Sequence, residues 1–97
     1  MLTADHGGVS SGANAHSDFL DSRNYTVPFI VWGPGIDSAS LYSLNSGRRA
    51  DPGSSRPGES GTQPVRNAEA GNVSMQLLGL GPIPGSRYNN TLNLRVN

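Results

Sequence analysis

The residues most able to do chemistry are an aspartate and a histidine that stand side by side near the start of the chain. Asp5 and His6 follow an apolar stretch, residues 1–3, and precede a pair of glycines. Adjacent side chains of a strand point to opposite faces, but where a strand becomes a loop both can turn toward one ion. A carboxylate oxygen with an imidazole nitrogen suits Zn²⁺, and also Mn²⁺ or Fe. A turn-forming aspartate beside an incidental histidine explains the same residues without a metal.

A second histidine, His16, lies ten residues further along the chain. It belongs to a stretch rich in Ser, Gly, Asn and Asp, residues 9–24, which has no helical or alternating period and predicts a loop. Asp18 could accept a hydrogen bond from the His16 imidazole and orient it toward a metal. A solvated loop aspartate is an equally good interpretation of Asp18. The glycines after His6 could let the backbone pass close to ions, or simply let it turn.

The clearest element predicted by the pattern is a strand over residues 27–32. The run is apolar and β-rich, contains Pro28 near its start, and ends at a Gly-Pro-Gly sequence. A continuous apolar run is typical of a strand buried on both faces of a parallel sheet. We therefore place Phe29 and Trp32 in the core rather than against a substrate. The chain supplies one complete strand, so the α/β fold class predicted here requires a sheet that lies largely elsewhere.

One good helix is predicted, over residues 68–78. Val73, Leu77 and Leu78 would form its buried face, and Gly79 stands just past its end as a cap. Shorter elements are expected elsewhere: a helical turn over residues 38–44 and an edge strand over residues 92–96.

Residues 45–66 carry prolines, glycines and arginines without periodicity, and we interpret them as a flexible insertion. Arg48, Arg49 and Arg56 of this segment could reach a substrate phosphate. A solvated loop is the simpler interpretation of these arginines.

Composition limits the function classes. The chain has 97 residues, 34% of them hydrophobic, and no cysteine, so we expect one domain with a small core and marginal stability. Seven arginines balance seven acidic residues, which gives no electrostatic basis for binding nucleic acid. No run is long enough to span a bilayer, and the first residues do not have the pattern of a signal peptide.

The order of the motifs is more informative than any one of them. Thr-Ala-Asp-His-Gly-Gly at residues 3–8 is followed by His-Ser-Asp at residues 16–18, by Val-Pro-Phe-Ile-Val-Trp-Gly-Pro-Gly-Ile at residues 27–36 and by Leu-Leu-Gly-Leu-Gly-Pro-Ile-Pro-Gly-Ser at residues 77–86. This series resembles the carboxy-terminal part of the alkaline phosphatase superfamily, which includes type I phosphodiesterases, nucleotide pyrophosphatases, sulfatases and cofactor-independent phosphoglycerate mutases. The resemblance covers most of the chain and is weakest over residues 48–63.

The resemblance implies that residues 1–97 are the C-terminal fragment of one alkaline-phosphatase-like catalytic domain with a parallel sheet. It implies two divalent metal ions, zinc with manganese or iron as alternatives, and a small-molecule phosphoester substrate. Asp5 and His6 would ligate one ion and His16 the other. In the family, the Thr or Ser nucleophile and further Asp and His ligands lie on earlier segments, so no catalytic nucleophile is assigned here. Similar proteins are often exported from bacteria, but the sequence does not predict a compartment.

Three functions follow as hypotheses. The first is a fragment of a binuclear metal-dependent phosphoester hydrolase that is inactive alone. The second is a small non-catalytic metal-binding or interaction protein that holds one zinc with Asp5, His6 and His16, since three protein ligands suffice for a site with an open position. The third is an inert disordered remnant, which the low apolar content favours.

Overall fold

The structure is a computed structural model, and it describes residues 1–8 and 18–97. Within these ranges the chain combines a two-stranded sheet with short helices, so its fold is mixed α and β, as predicted at that coarse level. The elements in chain order are β1 (Leu2–Thr3), α1 (Ser22–Tyr25), β2 (Phe29–Ile30), α2 (Leu41–Leu44), a 3₁₀ turn (Asn67–Glu69) and α3 (Ala70–Leu77).

The sheet differs from the predicted one. β1 and β2 pair antiparallel, with Leu2 opposite Ile30 and Thr3 opposite Phe29. In the described part of the chain no parallel sheet is present, and a parallel contact occurs as an isolated bridge outside the strands. β2 is also shorter than the run of residues 27–32, since β1 offers two residues for it to pair with.

Burial of β2 on both faces is also a wrong prediction for this chain. Phe29 and Val31 pack against the core, but Ile30 is 50% exposed and Trp32 is 62% exposed. Side chains of a strand alternate between faces, so one face of β2 meets the core and the other meets solvent. Trp32, predicted as a core residue, therefore lies on the surface of the chain.

The core is small, as the composition predicts. Val73 and Leu94 are fully buried, and Val96 is 5% exposed. Val73 comes from α3, whereas the other two come from residues 83–97, which we call the C-terminal tail, so the core joins these two segments. Partly buried apolar residues surround this centre: Phe29, Val31, Ile36, Leu41 and Val65.

Helix α3 confirms the predicted helix and its cap, but not its buried face. Gly79 has φ of 69°, and its N–H donates to Gln76 O at 3.1 Å while Leu80 N–H donates to Met75 O at 2.9 Å. These are the two bonds of a Schellman cap. Leu78, expected in the core, is 70% exposed.

The face that α3 buries is partly polar, because it holds the C-terminal tail through side-chain amides. Asn72 is 1% exposed; its Nδ2 donates to Ser86 Oγ and Tyr88 O, and its Oδ1 accepts from Ile83 N–H. Gln76 Nε2 donates to Leu94 O at 2.9 Å. The predicted face of Val73, Leu77 and Leu78 is therefore replaced by one that combines Val73 with these amides.

The tail is not a strand, although its alternation is correct: Leu94 and Val96 are buried and the residues between and after them are exposed. Instead of pairing with a neighbouring strand, the backbone of Arg95 bonds to the side chain of Asn45, whose Nδ2 donates to Arg95 O and whose Oδ1 accepts from Arg95 N–H, both at 2.8 Å. Asn45 closes α2, the helix found where a short helical turn was predicted.

Helix α1 forms inside a stretch that was predicted to be a loop. Asp21 begins it: its carboxylate accepts from Arg23 N–H at 2.9 Å and pairs with the Arg23 guanidinium at 2.6 Å. These hydrogen bonds lower the pKa of Asp21 to about 2. A single capping aspartate therefore starts a helix too short to show any period in the sequence.

Candidate metal site and adjoining cleft

Asp5 and His6 form a compact turn directly after β1. His6 N–H donates to Asp5 Oδ1 at 3.0 Å, and the His6 Nδ1 lies 2.7 Å from Gly7 O. Because a carbonyl oxygen only accepts, Nδ1 donates in this contact, and Nε2 is the ring nitrogen that lies near Asp5. We refer to residues 5–7 as the Asp-His turn.

In the Asp-His turn a ring nitrogen and a carboxylate oxygen lie close together. His6 Nε2 lies 3.5 Å from Asp5 Oδ2, and the two side chains are 49% and 87% exposed. Two ligand atoms bound tetrahedrally at 2.0–2.2 Å are roughly 3.3–3.6 Å apart. Metal-ligating histidines commonly donate their other ring N–H to a backbone carbonyl, as His6 does to Gly7. The turn therefore presents an oxygen and a nitrogen donor at a spacing that one zinc ion accepts.

The backbone of the Asp-His turn is fixed on one side by the segment around α1. Gly7 N–H donates to Asn24 O at 2.7 Å, and a Cβ placed on Gly7 would lie 1.8 Å from Arg23 O. Glycine is required at this position because another backbone occupies the space of a side chain. Among the described residues other than its chain neighbours, none has an atom within 4 Å of the Cβ position of Gly8. Neither interpretation of Gly7, passage of the backbone close to ions or simple turning, describes this contact, which is a close approach to the backbone of Arg23.

Asn67 fixes the turn on its other side. Its Nδ2 donates to Ala4 O at 3.0 Å and to Asp5 O at 2.9 Å. Asn67 begins the 3₁₀ turn that leads into α3, so it ties the Asp-His turn to the longest helix of the chain. Sequence reasoning missed this residue, because its partners lie 62 and 63 positions away and no local pattern reports them.

The structure describes Asp18 but not His16, the other two predicted site residues. His16 lies outside the described residues, so its relation to the Asp-His turn is still a prediction. Asp18 Oδ1 accepts from Leu20 N–H at 3.0 Å, and its carbonyl accepts from Asp21 N–H at 3.2 Å. Asp18 thus closes the turn that precedes α1. Across residues 1–8 and 18–97, no group of three or more His, Asp or Glu side chains gathers around a point that could hold a metal ion.

A cleft of about 570 Å³ adjoins the Asp-His turn, and both Asp5 and His6 line it. This volume is typical of small-molecule sites. The lining also includes residues of the stretch 51–57, which we call the 51–57 loop, and all three tyrosines of the chain: Tyr25, Tyr42 and Tyr88. Burial raises the pKa of Tyr42.

Several side chains fasten the 51–57 loop and the residues after it. Tyr25 Oη donates to Ser54 O at 2.7 Å, and Arg66 Nη2 donates to Pro57 O at 3.1 Å. Ala50 N–H donates to Gln63 O at 3.1 Å and closes the base of the segment. These bonds give the cleft a defined wall within the stretch that was interpreted as an insertion.

The three arginines of that stretch take different positions. Arg48 is exposed and does not line the cleft, whereas Arg56 lines it. Arg49 pairs with Glu69, Nη2 to Oε1 at 3.2 Å, with side chains 13% and 4% exposed. Burial raises the pKa of Glu69, and the charges of Arg49 and Arg66 oppose that shift. Arg56 is therefore the one of the three that can meet a ligand in the cleft.

Comparisons of the chain with protein-family models, with curated proteins and with solved structures gave no match. Among the helices in the described ranges, none combines the length and the apolar character needed to cross a lipid bilayer.

Proposed function

We propose that this chain is the carboxy-terminal, metal-ligating part of a binuclear metal-dependent phosphoester hydrolase of the alkaline phosphatase type. Asp5 and His6 would hold one ion and His16 the other, and zinc, manganese or iron would suit these donors. The nucleophile and the remaining ligands would come from other segments. The observation that carries the proposal is the 3.5 Å spacing of His6 Nε2 and Asp5 Oδ2 beside a cleft of about 570 Å³.

Two divalent ions a few ångströms apart stabilise the attacking and leaving oxygens of an in-line phosphoryl displacement. The residues of this chain would contribute to that reaction by holding the metal ligands in a fixed position. Gly7 and Asn67 hold the backbone of the Asp-His turn, and the contact of His6 Nδ1 with Gly7 O keeps Nε2 turned toward the carboxylate. Such preorganisation matters because a ligand that must reorient binds more weakly.

The pair of strands that the structure describes is antiparallel, but its open edge leaves room for the larger parallel-sheet domain of the proposal. β2 pairs with β1 along one edge, and within the described residues no strand lies along its other edge. The exposed side of β2 carries Ile30, and Trp32 follows, 50% and 62% exposed. An open edge next to exposed large apolar side chains suits further strands and a covering layer. Such strands would provide the parallel neighbours that the apolar run of residues 27–32 predicts.

Paramagnetic Mn²⁺ tests the ligand assignment, because it broadens NMR signals close to the ion even when binding is weak. We expect broadening at His6 and, separately, at His16. His16→Ala should leave the broadening at His6 unchanged if the two histidines belong to different ions, and His6→Ala should leave that at His16 unchanged. Asp5→Asn should reduce the broadening at His6, whereas Asp37→Asn, a change at an exposed aspartate outside the cleft, is the matched control.

The same titration separates this proposal from a non-catalytic zinc protein. If Asp5, His6 and His16 share one ion, either histidine variant should abolish the Mn²⁺ broadening at all three residues, because effects at a shared site are coupled. That result would favour the second function. Broadening that neither Asp5→Asn nor His6→Ala reduces would contradict both.

Activity provides the remaining test. The pure 97-residue chain with added zinc or manganese should give no measurable hydrolysis of aryl phosphate mono- or diesters. Robust metal-dependent turnover by this chain alone would refute the proposal that the nucleophile comes from elsewhere. An upstream in-frame coding segment with a metal-binding Asp and a Thr or Ser nucleophile would support the proposal, and turnover by its product should fall at least about a hundredfold in His6→Ala.

A further inference from the structure

The cleft beside the Asp-His turn is lined by the two candidate metal donors and also by aromatic side chains and Arg56, which we call the aromatic wall. We infer that this wall is a binding subsite for a planar aromatic group joined to a singly charged tetrahedral oxyanion, and that Arg56 binds the oxyanion. Aryl phosphodiesters and aryl sulfates share this chemistry. The binding itself needs no metal, and only its interpretation as the substrate subsite rests on the proposed function.

The aromatic character of the wall comes from distant parts of the chain. Tyr25 ends α1, Tyr42 lies in α2 and Tyr88 lies in the C-terminal tail, yet all three line the same cleft. Phe19 and three prolines of the stretch from residue 52 to residue 64 line it as well. Pockets for organic ligands are typically lined by such aromatic and apolar groups with a few polar ones among them. A flat ring is the ligand group that this wall suits, through offset or edge-to-face contacts.

Arg56 is held in place while part of its guanidinium is available to a ligand. Its Nη1 donates to Phe19 O at 3.1 Å, and its Cζ lies 5.7 Å from the centre of the Tyr25 ring. The contact with Tyr25 is a cation–π interaction, and it restrains the side chain before any ligand arrives. Nε and Nη2 make no hydrogen bond to the described residues and can form the two parallel bonds that arginine gives to an oxyanion.

The other arginine in the cleft plays a different part. Arg66 Nη2 donates to Pro57 O, Gly58 O and Gln63 Oε1 at 3.1, 3.2 and 2.9 Å. Its guanidinium therefore braces the wall, although its charge still contributes to the field in the cleft. Arg56 is the residue we assign to ligand binding.

The charges of the cleft limit the charge of its ligand. Two carboxylates line it, those of Asp5 and Asp51, and so do the guanidiniums of Arg56 and Arg66. Asp51 Oδ1 accepts from Gly53 N–H at 2.9 Å and stays in the 51–57 loop near Arg56. Two carboxylates repel an added negative charge and two guanidiniums attract it, so the long-range charges of the cleft nearly cancel. Arg56 is the guanidinium assigned to direct contact, and it can pair with one negative charge, whereas a second charge on the ligand would lose its hydration without gaining a partner. A monoanion is therefore favoured over a dianion.

The test is an NMR titration of the full 97-residue chain at pH 8 in EDTA, so that no metal contributes. The probes are phenyl sulfate and methyl phenyl phosphate, with methyl sulfate as the probe without a ring and phenyl phosphate as the dianion. We expect shifts at the Arg56 guanidinium and at the Tyr25 and Tyr88 rings. The two aryl monoanions should bind roughly fivefold more tightly than methyl sulfate, and phenyl phosphate should bind more weakly than they do. The difference between phenyl sulfate and methyl phenyl phosphate tells which ester the subsite prefers.

Variants assign the effect to one side chain. Arg56→Gln should weaken the aryl monoanions about tenfold, because it removes a charge-assisted bidentate contact. Arg48→Gln is the matched control, since Arg48 is an exposed arginine of the same segment that does not line the cleft. Arg56→Lys keeps the charge without the fork and should give an intermediate loss, which also separates lost binding from lost folding.

The inference is overturned if the aryl probes cause no shift at these residues, if methyl sulfate binds as tightly as phenyl sulfate, or if Arg48→Gln weakens binding as much as Arg56→Gln. Tighter binding of phenyl phosphate would refute the preference for a monoanion. None of these results depends on Mn²⁺ broadening at the histidines, so failure of the subsite and failure of the metal assignment are distinguishable.

Discussion

Gly7→Ala is expected to damage the chain more than its size suggests, because a methyl group at this position has no room. The added Cβ would lie 1.8 Å from Arg23 O, 3.0 Å from the carbonyl carbon of Arg23 and 3.2 Å from Thr26 O. Van der Waals contact begins about 1.5 Å further out than the first of these distances. All three atoms belong to backbone, so no side-chain rotation relieves the overlap. The Asp-His turn and the segment around α1 must move apart.

Two terms set the magnitude. Forcing apart a packed contact costs about 1–3 kcal/mol. The movement also breaks the 2.7 Å bond from Gly7 N–H to Asn24 O, a net loss of about 1 kcal/mol. A domain of this length is stable by about 5–15 kcal/mol. We therefore expect Gly7→Ala to lower the free energy of unfolding by about 2–4 kcal/mol, a large part of the total.

The assay is urea denaturation followed by circular dichroism, with Gly8→Ala as the control. In the described part of the chain, apart from its chain neighbours, nothing lies within 4 Å of the Cβ position of Gly8, so its substitution should change stability by no more than about 1 kcal/mol. Mn²⁺ broadening at His6 should also fall in Gly7→Ala, because the turn that brings the two donors together is displaced. Equal stability of the two alanine variants would refute the close approach of Gly7 to Arg23.

Three further substitutions test the contacts around the site. Asn67→Asp replaces the donor of two hydrogen bonds with a carboxylate that faces two carbonyl oxygens. It should lower the free energy of unfolding in urea by about 2 kcal/mol and reduce Mn²⁺ broadening in the Asp-His turn. Unchanged broadening there would contradict the role of Asn67 in holding the turn. Glu69→Gln removes a carboxyl group whose pKa is raised above 4.5 by burial. The stability of the wild type relative to this variant should therefore fall as pH rises from 4.5 through the raised pKa. Unfolding curves at pH 4.5 and 7 that show no such fall would count against this role of Glu69. Asn72→Ala should cost about 3 kcal/mol, since three partly buried hydrogen bonds are lost. Asn90→Ala, at an exposed residue, should stay within about 0.5 kcal/mol, and similar losses in the two variants would show that Asn72 does not hold the tail.

The elements that the sequence predicts well are those whose cause is local. The helix over residues 70–77 stops just before Gly79, because a glycine easily adopts the left-handed conformation that follows a helix C-terminus. The alternation of Leu94 and Val96 correctly indicates which tail residues are buried. Neither inference depends on which other segment lies nearby.

The errors arise where burial depends on a partner. Trp32 and Leu78 were placed in the core on apolar pattern, but they are 62% and 70% exposed. A pattern shows that a side chain would gain from burial, not that another segment covers it. The buried side of α3 is completed instead by Asn72, because three groups near the tail need hydrogen-bond partners there.

The candidate site divides in the same way. The sequence identifies Asp5 and His6 because they follow an apolar run and have the donor types of a metal site, and its prediction for His16 stays a prediction. It left Gly7 undecided, and it did not single out Asn67 or separate Arg56 from Arg48 and Arg49. Those assignments depend on the meeting of segments far apart in the chain.

The sequence by itself therefore determined a small mixed α and β domain, a capped helix, and an Asp-His pair at the end of a strand with the chemistry of two metal donors. Tertiary structure decided that Gly7 meets Arg23, that Asn67 holds the Asp-His turn across more than 60 residues, and that Arg56 and three tyrosines share one cleft. The physical reason is the distance along the chain over which each interaction acts. Backbone propensity and periodicity act over a few residues, whereas hydrogen bonds of side-chain amides and the walls of a cleft depend on which distant segments pack together.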